Sequence, residues 1–235
     1  MLIYNTNYQY HPTEKIIVIW QAKGACSFVN YMYFYHENLL TKALEYSHWI
    51  HDYRQYHTLK TKKIRNQGLN NPITKYIHFC VNPYKRAVSS YIHSQRHKYI
   101  HPRFHNVSFY AFLNGLKTNH IEPNPHHNLQ SFFFKDTKSI EYIHMENIED
   151  KIQYLKQKYN LNYVNPEKSH KHTSVKTNCD NTFLGYTKWD TIENNLPIHY
   201  KVFYNDDIRK LVEELYQVDI QTLKYTWEMF INTSS

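Results

Sequence analysis

Glycine is scarce in this 235-residue chain, with 4 residues, and cysteine scarcer, with 3. So few glycines exclude collagen-like repeats and Gly/Ser linkers as an organising device. Cys26, Cys80 and Cys179 are widely spaced and form no C-x-x-C pair, so no disulfide framework is expected and a reducing compartment is implied. No apolar run approaches the ~18 residues that a membrane span requires. The first fifteen residues are polar and aromatic, without the apolar stretch of a signal peptide. A cytoplasmic protein with no membrane span is therefore expected. Arginine is rare too: it occurs at 54, 65, 86, 96, 103 and 209, among 28 basic residues.

What the chain does contain is aromatic surface. Phe, Trp and Tyr make up 17% of it and offset a hydrophobic content of 41%, enough for a sizeable core at this length. Formal net charge is +8 with 17 histidines uncounted, so polyanions are attracted, more strongly below pH ~6.5. Tyr, Asn, Lys and Ile all have A/T-rich codons, so nucleotide bias alone accounts for much of this composition. No nucleic-acid-binding motif accompanies the charge, and nucleic acid is not the expected partner.

Short β-branched runs alternate with helical stretches, without repeats or long linkers. Lys15–Trp20 reads as a buried strand and Gln21–Cys26 as a small-residue turn; Ser27 is expected to cap a helix running towards Tyr46. Residues 47–71 read as a polar surface excursion. Tyr76–Val81 is a second strand, followed by a helix from Tyr84 to His97 with Pro83 at its start. Further elements are a short helix capped by Ser108, a strand over Ile140–His144, a helix from Asn147 to Lys158, and an amphipathic helix capped near Asn205–Asp207. A last helix is expected around Gln221–Phe230, with 160–195 loop-like. This order predicts a single α/β domain over 1–235, a P-loop-like parallel sheet flanked by helices. Ligands of such sheets sit beyond the carboxyl ends of the strands, where the loops after Trp20 and Val81 both lie.

Lys23-Gly24-Ala25-Cys26-Ser27-Phe28 lacks the Walker A spacing. It still offers an anion cradle: backbone N–H groups at a helix start, a lysine cation and a hydroxyl. Asn82-Pro-Tyr-Lys-Arg86-Ala-Val-Ser89-Ser-Tyr91 puts Arg86 and Ser89 on one face of a helix start, a second place for phosphate. In combination and order these segments resemble the PAPS-dependent sulfotransferases, notably the carbohydrate-sulfotransferase group. Weaker likenesses follow in Val107–Leu113, His126–Gln130, Tyr142–Glu146 and Tyr204–Tyr216, so that the resemblance covers about residues 15–225.

The resemblance implies a sulfotransferase that moves a sulfuryl group from PAPS, as co-substrate, to a hydroxyl or amine acceptor, a glycan or a small molecule. Lys23, Gly24, Ala25, Cys26, Ser27 and Phe28 would hold the 5'-phosphosulfate, and Arg86 and Ser89 the 3'-phosphate side. The general base would be His51 or His126, which the sequence does not separate. At Val81 the family carries an arginine on the 3'-phosphate; loss of such a charged contact corresponds to roughly 10- to 100-fold weaker donor binding. Lys85, Arg86 or Lys171 would have to compensate. A protein that keeps the fold and binds an anionic nucleotide or glycan without catalysis is the alternative. His93 and His97, the His126-His127 pair, and His170 with His172 lack the spacing of a dedicated zinc motif, and no metal is expected.

Overall fold

The structure, a computed structural model, describes residues 7–97, 105–118, 125–131, 140–164, 182–193 and 199–232. The chain divides into two compact units, the first made of 1–81 and 133–170, the second of 82–132 and 171–235. Cys179, Lys171, His170 and His172 lie outside the described residues.

The first unit is α/β. Its strands are β1 (Asn7–His11), β2 (Ile16–Trp20), β3 (Lys75–Cys80) and β4 (Ile140–His144), and they stand side by side in that order. β1 runs antiparallel to β2, whereas β2, β3 and β4 are mutually parallel, with Trp20 opposite Phe79 and Cys80 opposite His144. Between β2 and β3 lie helices α1 (Cys26–His36), α2 (Leu40–Tyr46), α3 (Ile50–Lys60) and α4 (Lys62–Asn70). All five residues of β2 are buried, as a strand covered on both faces requires. Alternation then divides them. Ile16, Val18 and Trp20 join Val29, Phe34, Tyr53, Ile77 and Phe79 in the larger core, while Ile17 and Ile19 pack with Tyr10 on the other face.

The excursion expected over 47–71 is instead helical, in α3 and α4. Burial against the sheet and α1 decides this, because the segment's own apolar periodicity is weak. Gly68 permits the close approach: a Cβ there would stand 2.7 Å from the ring of Tyr10. The sequence also gave no sign of β1, whose edge is covered by Arg65 of α4. That guanidinium stacks 3.8 Å from the ring centroid of Tyr8 and donates to its carbonyl at 2.9 Å.

The second unit is helical among the described residues: α5 (Pro83–Arg96), α6 (Phe109–Lys117), α8 (Trp189–Glu193), α9 (Asp206–Leu215), α10 (Gln217–Leu223) and α11 (Trp227–Asn232). α7 (Ile148–Tyr159) belongs to the first unit. Ser108 and Asn205 cap α6 and α9 as expected, each accepting a backbone N–H. The closing helix is in fact two, parted by Lys224 in a left-handed conformation (φ 57°). Tyr84, Tyr91, Phe109, Phe112, Trp189 and Phe203 form the aromatic centre of this unit. No helix among the described residues is long and apolar enough to cross a membrane.

Candidate functional site

β2 ends at Trp20, and the chain then folds back sharply, with the Gly24 N–H donating to the Gln21 carbonyl at 2.9 Å. The left-handed residues of this turn are Lys23 (φ 62°) and Ala25 (φ 61°), while Gly24 keeps a negative φ. Two side-chain-bearing residues in that region cost on the order of 1 kcal/mol each, and such strain is concentrated where a loop is shaped for a ligand. Ala25 occupies the N-cap of α1 and offers no side-chain oxygen. The cap expected at Ser27 is thus corrected: Ser27 is the second residue of α1, and its hydroxyl is engaged elsewhere. The first helical bond runs from the Val29 N–H to Ala25, so the amides of Cys26 to Phe28 precede the ladder and face out of the helix end.

His51 meets this helix start from α3. Its Nε2 lies 2.9 Å from Ser27 Oγ and 3.7 Å from Cys26 Sγ, and the residue is 7% exposed. The α2–α3 connection holds it there: the Ser47 hydroxyl donates to Asp52 Oδ2 at 2.7 Å and accepts the Trp49 N–H at 3.1 Å. Trp49 packs edge-on against the His51 ring, centroids 5.1 Å apart, yet remains 58% exposed. Sequence reasoning missed Trp49, because an isolated tryptophan in a polar stretch carries no motif. Beyond β2, the carboxyl ends of β3 and β4 lie at the same end of the sheet, which brings Val81 to that edge.

Comparison with known proteins found no match to this chain among family models, curated proteins or solved structures. Its chemistry is read from its own residues.

The remaining expected site residues belong to the second unit. Asn82 caps α5 by accepting the Tyr84 N–H at 3.0 Å, with Pro83 in the first turn. Arg86 is only 1% exposed, its Nη2 directed to the Pro125 carbonyl at 3.4 Å. Burial lowers its pKa, opposed by the nearby Tyr216 and Asp219. Ser89 is half-buried and hydrogen-bonds the Tyr200 side chain. His126 stacks on His93, centroids 4.2 Å apart, and its carbonyl accepts the Ser90 hydroxyl at 2.5 Å. The structure thus joins His51, Ser27 and Cys26 in one cluster; His126 stands in another setting.

One turn and a half beyond His51, His57 is packed among Tyr33, Phe34 and Tyr53, and its Nδ1 is buried with no hydrogen-bond partner among the described residues. Burial pushes its pKa from the ordinary 6.5 to about 4; Glu37 acts upward and Arg65 downward. The folded state therefore favours the neutral ring. Stability is thus undiminished by this ring above pH ~6.5 and falls as pH drops from 6.5 towards about 4, a loss of about 2 kcal/mol with solvent screening allowed for. His57→Phe should flatten the loss of urea stability between pH 7 and 4.5. An unchanged slope would remove His57 as its source.

Proposed function

We propose that this chain is a PAPS-dependent sulfotransferase whose donor phosphosulfate lies over the turn from β2 to α1. The observation that carries the reading is the meeting of Ser27 and His51 at the start of α1, the helix into which that turn leads. The turn and the helix start supply three kinds of group: the lysine at position 23 of the turn, amides at the start of an 11-residue helix, and a hydroxyl–imidazole pair. They suit a reaction in which negative charge builds on a leaving phosphate while a hydroxyl loses its proton.

In this reading the acceptor oxygen attacks sulfur in line with the bond to the 5'-phosphate, and that bond breaks with its electron pair going to the departing nucleotide. Lys23 and the amides of α1 stabilise the charge that appears there. Ser27 turns its O–H from His51 to the phosphate oxygens, and His51 Nε2 takes the acceptor proton. His51 is thereby preferred to His126 as base. The exposed face of Trp49 beside it suits a sugar ring, which favours a glycan hydroxyl as acceptor.

Val81 favours one second reading, a nucleotide-binding protein of this type whose donor site has lapsed. Calorimetric titration with PAP separates the two. Micromolar binding by the natural protein, tightened roughly 10- to 100-fold in Val81→Arg, supports the transferase. Binding gained only in Val81→Arg supports the lapsed site. No heat from either protein at millimolar PAP sinks both.

A further inference from the structure

A second cluster of titratable side chains lies at the far end of α1, about 15 Å of helix from the Lys23 turn. It consists of His11, which ends β1; Glu14, in the turn to β2; His36, the last residue of α1; and Glu37, its C-cap. One donor atom from each lies within 4.8 Å of every other. His11 Nδ1 is 2.5 Å from Glu37 Oε1, and His36 Nε2 is 3.2 Å from Glu14 Oε2.

Two features distinguish this group from an ordinary surface ion pair. The Glu14 side chain is 8% exposed, and its Oε2 faces His36 with no hydrogen-bond partner among the described residues. Moreover, the ion pairs that Glu14 and Glu37 make among those residues are with histidine alone, so two largely buried carboxylates converge without a permanent cation. Buried charge of that kind requires a counter-charge.

We infer that His11, Glu14, His36 and Glu37 form a structural binding site for a divalent metal ion, with zinc the best match. Two imidazole nitrogens and two carboxylate oxygens suit zinc's borderline character and tetrahedral preference. At metal–ligand distances of about 2.0–2.2 Å, tetrahedral ligand edges are roughly 3.3–3.6 Å, so the group closes by about 1 Å where it is widest. The protons are accounted for. In the metal-free protein His11 Nδ1 donates to Glu37, and His36, whose Nδ1 accepts the Asn162 N–H at 2.9 Å, carries its proton on Nε2. Metal binding shifts each proton to the far nitrogen. His11 Nε2–H then donates to the Tyr163 oxygen, now 2.9 Å away, which fixes the ring as an outer partner does in zinc sites. His36 Nδ1–H displaces the amide of the exposed Asn162, which turns to water. The ion would tie the β1–β2 turn to the end of α1.

The test uses the full chain, stripped with chelator and titrated with Zn2+ against a competing indicator, with Co2+ as a spectroscopic probe. One equivalent of zinc at micromolar affinity or tighter is expected, with a rise in Tm and the visible absorption of tetrahedral Co2+. Glu14→Gln should weaken that equivalent at least 100-fold while weaker binding to other histidines persists. Glu37→Gln, at a more exposed position, serves if Glu14→Gln does not fold. Absence of a tight equivalent in the natural protein, or unchanged affinity in a folded variant, overturns the inference.

Discussion

In the proposed transferase reaction, replacing Lys23 by Ala is expected to lower sulfuryl turnover from PAPS by about 10²–10³-fold, and PAP affinity by about 10-fold. The larger loss falls on turnover because the lysine's charge matters most when the leaving phosphate gains its own, so transition-state binding suffers more than ground-state binding. Folding should be untouched. Lys23 is half-buried, and Ala adopts the left-handed conformation (φ 62°) at a cost similar to that of Lys. Single-turnover sulfation of a glycan acceptor, followed beside thermal unfolding, is the measurement. Equal turnover in natural protein and variant would remove Lys23, and with it the proposed donor site.

The largest effect on stability is expected from Asp219→Ala, a loss of about 3–5 kcal/mol. Asp219 is fully buried and accepts the Gln130 N–H at 2.8 Å, the Ser131 N–H at 2.8 Å and the Ser131 hydroxyl at 2.7 Å. It also lies within electrostatic reach of Arg86, whose guanidinium is taken out of water by the same packing. Alanine would strand three donors and leave that cation less balanced. Asp219→Asn should cost less, because its carbonyl still accepts. Urea unfolding of the two variants checks the order, and a loss below about 1 kcal/mol for Asp219→Ala would contradict it.

Much of the architecture was legible in the sequence because some segments carry their own instructions. Ile16–Trp20 is a run of β-branched residues and tryptophan that can only be buried, and it forms β2. Ser108 and Asn205 have side chains that cap locally, so α6 and α9 begin where they should. The motif turn after β2 could be placed for the same reason, although its cap could not. Ala25 holds that position through backbone conformation alone, which composition does not reveal.

Local patterns along the chain therefore encode three parallel strands, their following helices, and a lysine-bearing turn at a helix start. Tertiary structure alone decided the rest. β1 exists because it pairs with β2 and is held by Arg65, and α3 and α4 are helices because the sheet and α1 bury one side of them. The same packing brought His51 to Ser27, and drew His11 and Glu14 to His36 and Glu37. Such contacts join residues more than twenty positions apart in the chain. No local spacing encodes them, and only burial of the surrounding core makes them closer than chance.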